Sequence, residues 1–92
     1  MNKGELVDAI ANKAKVSKKA ADAALTAALE EIVAAVSTGD KVTLVGFGSF
    51  ERRERQAREG RNPKTGEKMQ IPATRIPAFA PGKLFKQRVA GE

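Results

Sequence analysis

The sequence contains no cysteine, histidine, tryptophan or tyrosine. The absence of cysteine excludes disulfides and thiolate metal ligands, and the absence of histidine removes the commonest general base. The five carboxylates of residues 41–92 are scattered among arginines rather than clustered. We therefore expect no enzyme, no metal, no cofactor and no small-molecule substrate. A metal-dependent nuclease is the alternative from a different class, and nicking of DNA with added magnesium would reveal it.

Long apolar runs are also missing. The longest apolar stretch is interrupted by Glu30 and Glu31, so it falls far short of a membrane span. Near the start, Glu5 and Asp8 stand where a signal peptide would need its apolar segment. These features favour a cytoplasmic protein with no membrane partner.

Charge is distributed unevenly along the 92 residues. Residues 1–40 hold five basic and six acidic side chains, net −1, whereas residues 41–92 hold twelve and five, net +7. With a pI near 10, this asymmetry is typical of a protein that binds a polyanion. The alternative is a solvated basic surface with no nucleic-acid partner.

The first half of the chain has helical periodicity. Asn2 and Glu5 have the spacing of a capping box, and the helix is predicted to end near Ala14. Spacing of three and four residues places Leu6, Ala9, Ile10 and Lys13 on one face of this helix.

Ser17 is a suitable N-cap for a second, longer helix, and Gly39 is a suitable residue just beyond its end. The apolar stripe of this helix comprises Ala21, Ala24, Leu25, Ala28, Leu29, Ile32 and Val36. Two helices joined by a short turn could form a helix-turn-helix DNA reader. Carboxylates on the outward side of the second helix would repel phosphates, so we favour a helix pair that belongs to the core.

After Gly39 the apolar period changes to two, which is typical of β-strands. Val42 and Leu44 lie on one face of a strand, a glycine turn follows at 46–48, and the chain resumes at Phe50. A strong turn signal occupies 62–66. The return strand is predicted over 68–79, with its two prolines at an edge or a bulge. A final helix is predicted over 82–89, with its inner side formed by Leu84, Phe85 and Val89.

Residues 54–74, which we call the arm, offer almost no apolar surface for a core. The rest of the chain is about 70 residues, a size at which small domains need staples or association. We therefore expect a dimer in which the four phenylalanines cluster across a two-fold axis. A monomer with a loose loop is the alternative.

An isolated two-stranded ribbon is marginal in water, and ordering its backbone costs roughly 1–2 kcal/mol per residue. We therefore expect the arm to be mobile in the absence of a partner. Its arginines suit phosphates, while Met69, Ile71 and Ala73 form an apolar underside and Pro63 a rigid tip. A minor groove, with phosphate walls and a floor lined by sugars, matches both sets of groups.

The motifs VGFGSF (45–50), REGRNPKTGE (58–67) and PAFAPGKLFK (77–86) resemble the bacterial histone-like HU family and its integration-host-factor relatives. The resemblance extends over essentially the whole chain. It implies an α+β fold: an intertwined homodimer, or a heterodimer with a paralogue, with a helical base, a short antiparallel sheet and two long β-ribbon arms.

By this resemblance, residues 1–92 form a single DNA-binding domain. Its parts are a helical dimerisation base at 1–40, a sheet and C-terminal helix at 41–53 and 75–92, and the DNA-binding arm at 54–74. The dimer core implied by the base and sheet comprises Leu29, Ile32, Val36, Leu44, Phe47, Phe50, Phe79 and Phe85.

The resemblance also implies which residues meet double-stranded DNA. Pro63 would intercalate between base pairs, as the family's tip proline does. The full set expected to contact DNA comprises Arg53, Arg55, Arg58, Arg61, Asn62, Pro63, Lys64, Thr65, Lys68, Met69, Ile71, Thr74 and Arg75 of the arm and its base, with Lys3, Lys83 and Lys86 on the body.

Binding is expected to have little sequence specificity, because phosphate contacts carry no sequence information and the minor groove is degenerate. Bent, nicked or flexible duplexes should be preferred because they deform more easily. The expected function is bending and compaction of DNA in a nucleoid. Two alternatives stay open: a site-specific bender of the integration-host-factor type, and an RNA-binding protein, which the lack of an aromatic stacking platform disfavours.

Overall fold

A computed structural model of the chain describes residues 1–91. It has the predicted α+β architecture, and its elements follow in the order α1 (Lys3–Ala14), α2 (Lys18–Ser37), β1 (Val42–Leu44), β2 (Gly48–Arg55), β3 (Arg58–Arg61), β4 (Lys68–Ile71), β5 (Thr74–Pro81) and α3 (Lys83–Ala90). The chain divides into two compact units, Met1–Ala34 and Ala35–Glu92. Within 1–91, no helix combines the length and the apolarity that a membrane crossing requires.

The ends of α1 follow from local hydrogen bonding. The Oδ1 atom of Asn2 accepts a hydrogen bond from the Glu5 amide at 2.8 Å, which confirms the predicted N-cap. The helix ends at Ala14 as expected. Lys15 then adopts a left-handed conformation with φ 59°, and its amide donates to the Ala11 carbonyl. No glycine is present at this C-cap, although glycine is the usual residue there.

Small residues form the core of the first unit. Val7 and Ala11 of α1 and Ala21 of α2 are buried together, and Ile10 and Leu25 pack against them. Two of the three buried positions are alanine, so this core is small.

The face shared by Leu6, Ala9, Ile10 and Lys13 is only partly the face of α1 that packs within the chain. Ile10 lies at the edge of the core, but Leu6, Ala9 and Lys13 are exposed. The face that packs is rotated by one residue, to Val7 and Ala11, which cluster with Ala21 of α2.

Helix α2 begins as predicted, since the Oγ of Ser17 accepts a hydrogen bond from the Ala20 amide at 3.1 Å. Beyond its end, the amide of Gly39 donates to the Val36 carbonyl and φ of Gly39 is 93°. Only part of the predicted stripe is covered. Ala21 and Val36 are buried, whereas Ala24, Ala28 and Leu29 are exposed. A single chain thus leaves much of the apolar side of α2 open.

The second unit contains an antiparallel sheet in the order β1-β2-β5. Val42 pairs with Phe50, and Phe50 pairs with Phe79, so apolar residues of the three strands lie on one face. Gly48 is required by packing: a Cβ there would lie 2.7 Å from the ring of Phe79. The phenylalanine ring occupies the space that any side chain at this position would need.

The four phenylalanines, Phe47, Phe50, Phe79 and Phe85, form one cluster within a single chain. The ring centroids of Phe50 and Phe79 are 4.8 Å apart, and those of Phe47 and Phe85 are 5.3 Å apart. The cluster is not sealed, because Phe47 remains 45 % exposed and Phe79 40 % exposed.

The return strand is interrupted, contrary to the continuous strand predicted over 68–79. It divides at Pro72 and Ala73 into β4 and β5, and the opposite strand divides at Gln56 and Ala57. Pro72 has no amide hydrogen to donate. The backbone hydrogen bonding between the two strands is therefore interrupted at this point. Pro77, by contrast, lies within β5, an edge strand, as a proline in a sheet should.

Helix α3 occupies nearly the predicted residues, but a single chain covers only part of its predicted inner side. Phe85 is half-buried in the phenylalanine cluster, whereas Leu84 is 60 % and Val89 76 % exposed. These two side chains instead line an open apolar groove with Gly46 and Phe47.

Candidate nucleic-acid interface

The outer part of the arm is a separate two-stranded sheet formed by β3 and β4. Arg58 pairs with Ile71 and Gly60 pairs with Met69, so these four residues share one face of the ribbon. The opposite face carries Glu59, Arg61, Lys68 and Gln70. One face is thus partly apolar with a single arginine, and the other face is entirely polar.

The apolar face contains a small packing contact of its own. Ile71 is half-buried. If residue 60 had a Cβ atom, that atom would lie 2.9 Å from the Cδ1 atom of Ile71. Gly60 therefore provides the space in which Ile71 lies across the ribbon. A glycine inside a strand pattern is a known sign of such close approach, so the sequence held this signal although no role was predicted for Gly60.

The tip, residues 62–67, is closed by hydrogen bonds. The Asn62 amide donates to the Glu67 carbonyl at 2.8 Å, and the Gly66 amide donates to the Asn62 carbonyl at 2.8 Å. The Oδ1 of Asn62 accepts from the Lys64 amide at 2.9 Å, and the Oγ1 of Thr65 accepts from the Glu67 amide at 3.3 Å. Pro63 lies exposed within this closed turn.

The cations of the arm fall into two groups according to their partners. In the part of the chain that the structure describes, five of them make no ion pair and no side-chain hydrogen bond: Arg55, Arg58, Arg61, Lys64 and Lys68. Each is exposed. Because no carboxylate neutralises them, their charges are available to an external anion.

Two residues predicted to contact DNA at the base of the arm form ion pairs within the free chain. The Nε atom of Arg53 lies 3.3 Å from a carboxylate oxygen of Glu51, and the Nε of Arg75 lies 3.3 Å from Glu54. Glu54 also lies 3.7 Å from Arg52. Arg52 was not predicted to act in the site, and its guanidinium donates to the carbonyl at the end of α2.

The pairing of β2 with β5 places these base residues on two faces. Arg53 and Arg55 lie opposite Ile76 and Thr74, on the face away from the phenylalanines. Arg75 lies on the phenylalanine face. The predicted cations therefore surround the base of the arm and do not form one stripe.

The body cations have different surroundings. In the first unit, Lys3 donates a hydrogen bond to the Oγ1 of Thr26 at 2.9 Å and lies 3.6 Å from Asp22. In the second unit, Lys83 and Lys86 are exposed in the first turn of α3. Positive charges there are unfavourable for the helix dipole, so folding does not account for their position.

The predicted dimer-core residues are divided between buried and open positions. Val36 is buried, and Ile32, Phe50 and Phe85 are half-buried. The remaining four are exposed in the single chain: Leu29, Leu44, Phe47 and Phe79.

Comparison with known proteins places this architecture in a family. Residues 1–90 match the family model described as "Bacterial DNA-binding protein", so the chain belongs to that family. The family is one of DNA-binding proteins and not one defined by a catalysed reaction.

Individual relatives carry more specific names. The chain is 78 % identical over 90 residues to the DNA-binding protein HU of Nostoc sp., covering 98 % of this chain and 96 % of that protein. It is 52 % identical over 92 residues to the DNA-binding protein HU 1 of Bacillus subtilis, with complete coverage of both. These relatives confirm the resemblance to the HU family that the motifs indicated.

Solved structures agree with the sequence comparisons. The protein in an Anabaena HU–DNA cocrystal structure is 76 % identical, covers all of both chains and superposes with a TM-score of 0.94. HU from Thermotoga maritima is 37 % identical, with 97 % and 98 % of the two chains covered and a TM-score of 0.68. The predicted α+β fold of the HU type is thereby confirmed.

Proposed function

We propose that this protein is a histone-like architectural protein that binds double-stranded DNA with little sequence specificity, bending and compacting it. The observation that carries the proposal is the arm with five exposed cations that have no ion-pair partner among the described residues. The likeness to a protein solved as an HU–DNA cocrystal supports DNA as the polyanion. We propose no catalytic activity, and we place the protein in the cytoplasm in association with the nucleoid.

The protein acts as a dimer, with both compact units in one DNA-binding domain. Support comes from apolar surface that a single chain leaves open: Leu29 on α2, Phe47 and Phe79 at the phenylalanine cluster, and Leu84 on α3. An open surface of this kind favours association. A second copy would cover it and would supply a second arm.

The arm enters the minor groove from its tip. Pro63 is exposed at the end of the ribbon and inserts between base pairs, while Met69 lies on the same ribbon face as Arg58 and contacts sugars. Cations along both edges meet phosphates. Lys83 and Lys86 contact the DNA that bends towards the body, and Lys3 does so after leaving Asp22.

Low specificity follows from this mode of contact. Arginine and lysine bound to phosphate do not distinguish sequences, and the minor groove separates A·T from G·C only weakly. The protein distinguishes one DNA from another by the free energy needed to deform the duplex. Nicked or flexible DNA therefore binds more tightly.

Gel-shift titrations test the proposal with three competitors of equal length: intact duplex, nicked duplex and double-stranded RNA. We expect the nicked duplex to compete best. In a second titration, intact duplexes of a defined and of a random sequence should compete equally. Tighter binding of one defined sequence would point to a site-specific bender, and preference for RNA would contradict the proposal.

The insertion of Pro63 between base pairs, which makes it a wedge, is tested separately with the variant Pro63→Ala. This variant should reduce the bend of a bound fragment, measured by fluorescence energy transfer between its ends, more than it reduces affinity. Inserting a side chain unstacks a base step, and the kink depends on that insertion. An unchanged bend at saturation would show that Pro63 is not the wedge.

A further inference from the structure

Asn62 occupies an unusual position in the tip, because nearly all its hydrogen-bonding groups are turned inward. Its backbone amide and carbonyl bond to Glu67 and Gly66, and its Oδ1 accepts from the amide of Lys64. Asn62 is half-buried, whereas Pro63 beside it is exposed. Only the side-chain Nδ2 group of Asn62 remains for an external partner.

This bonding fixes the backbone around the proline from both sides. An asparagine side chain that accepts from the amide two residues later forms a turn that replaces a backbone turn. The proline ring fixes its own φ within the same turn. Where the chain turns back towards β4, Gly66 has φ 73°, a left-handed conformation that glycine adopts without steric strain. A Cβ atom at this position would meet no other atom within 4 Å.

A residue that separates stacked bases must be held firmly, because stacking opposes its entry. If the tip had to become ordered during insertion, the entropy of ordering would add to that opposition. A tip already closed by hydrogen bonds avoids the additional term, which is the general advantage of preorganisation.

We propose that Asn62 is a positioning residue that preforms the tip, so that Pro63 is presented to the duplex as a rigid wedge. Its effect on DNA is exerted through Pro63 and not through a contact of its own. The proposal rests on the proposed function, in which the tip enters DNA. Asn62 therefore controls how strongly the bound DNA is bent, and it contributes little to the affinity for DNA.

Two neutral variants separate these roles. Asn62→Ala removes the Oδ1 acceptor, whereas Asn62→Ser keeps a short acceptor that forms the same kind of turn more weakly. In the free protein, amide hydrogen exchange of Lys64 should accelerate on the order of 2- to 10-fold in Asn62→Ala, as expected for loss of one hydrogen bond. Exchange of the β4 amides should not change, and Asn62→Ser should lie between wild type and alanine.

The bend is measured on a DNA fragment saturated with protein, by fluorescence energy transfer between the ends of the fragment. With Asn62→Ala the transfer should fall towards the value of Pro63→Ala, and with Asn62→Ser it should recover partly. The matched control is Arg58→Gln, which should lower affinity but leave the bend at saturation unchanged. Affinity of Asn62→Ala should fall by less than about threefold, since the alanine variant keeps all the cations.

Three results would overturn the proposal. The first is unchanged Lys64 exchange in Asn62→Ala. The second is an unchanged bend at saturation with equal losses of affinity in the alanine and serine variants, which would make Asn62 a direct DNA contact. The third is failure of the wild type to bend DNA, which would overturn the proposed function as well; the exchange data would still report whether Asn62 orders the tip.

Discussion

The difference between partnered and unpartnered arginines leads to a quantitative prediction about salt. Arg58 makes no ion pair with the described residues, whereas Arg53 lies 3.3 Å from Glu51. Each phosphate neutralised on B-DNA contributes about 0.9 to the slope of log affinity against log salt, through release of counterions. In a homodimer Arg58→Gln removes two such contacts, so the magnitude of the slope should fall by about 1.8.

Arg53→Gln makes the same change in charge and is the matched control. To reach a phosphate, Arg53 must leave Glu51, and this competition lowers the fraction of complexes in which Arg53 neutralises a phosphate. We therefore expect its slope to change much less. Between 50 and 200 mM salt, wild type should lose about tenfold more affinity than Arg58→Gln does.

Fluorescence anisotropy with a labelled duplex at four or five salt concentrations measures both slopes. A control with Glu51→Gln should raise the contribution of Arg53, since the competing carboxylate is gone. Equal decreases of slope in Arg58→Gln and Arg53→Gln would refute the reasoning, because total charge alone would then govern counterion release.

Three further predictions concern packing. Gly48→Ala places a Cβ 2.7 Å from the ring of Phe79 and should lower the free energy of unfolding, measured in urea, by about 1–3 kcal/mol. Ala21→Leu overpacks the first unit, where residue 21 is only 2 % exposed, and should show a loss of similar size, about 1–3 kcal/mol; an unchanged urea midpoint would contradict it. Gly60→Ala should leave the urea midpoint nearly unchanged, because Ile71 can rotate away, but it should shift the Ile71 methyl resonance in NMR spectra.

The sequence predicted the elements better than their packing. Local signals are sufficient for a capping residue such as Asn2 or a turn glycine such as Gly39, because the bonds concerned lie within a few residues. The inner face of α1 depends on what lies across from it. Val7 rather than Leu6 is buried because it lies against Ala21 of another helix, a contact that periodicity within α1 cannot reveal.

The exposed faces of α2 and α3 have a related explanation. Helical spacing predicts correctly that Leu29, Leu84 and Val89 belong to apolar stripes. It does not indicate whether the same chain covers them. A stripe that stays open in one chain is a property of the assembly, which is why the predicted inner side of α3 does not match a single subunit.

The residues of the candidate site could be predicted from the sequence, but their partners could not. Composition and spacing predict a basic ribbon with a proline at its tip. They cannot predict that Arg53, Arg75 and Lys3 have carboxylate partners. The pair Arg75–Glu54 depends on the register of β2 with β5, the pair Arg53–Glu51 lies within β2 and depends on rotamers, and the pair Lys3–Asp22 depends on how α1 packs on α2. Nor does the turn signal at 62–66 show that the Asn62 side chain closes the tip.

The break at Pro72 separates two electrostatic regions of the second unit. On the sheet side, carboxylates of β2 pair with Arg52, Arg53 and Arg75. Beyond the break, within the described residues, the arm contains no ion pair, although Glu59 and Glu67 are present. Apart from Arg55 at the end of β2, the arginines of the sheet are paired within it. Because the ribbon's cations stay unneutralised beyond a gap in the ladder, binding an anion there disrupts no ion pair of the sheet.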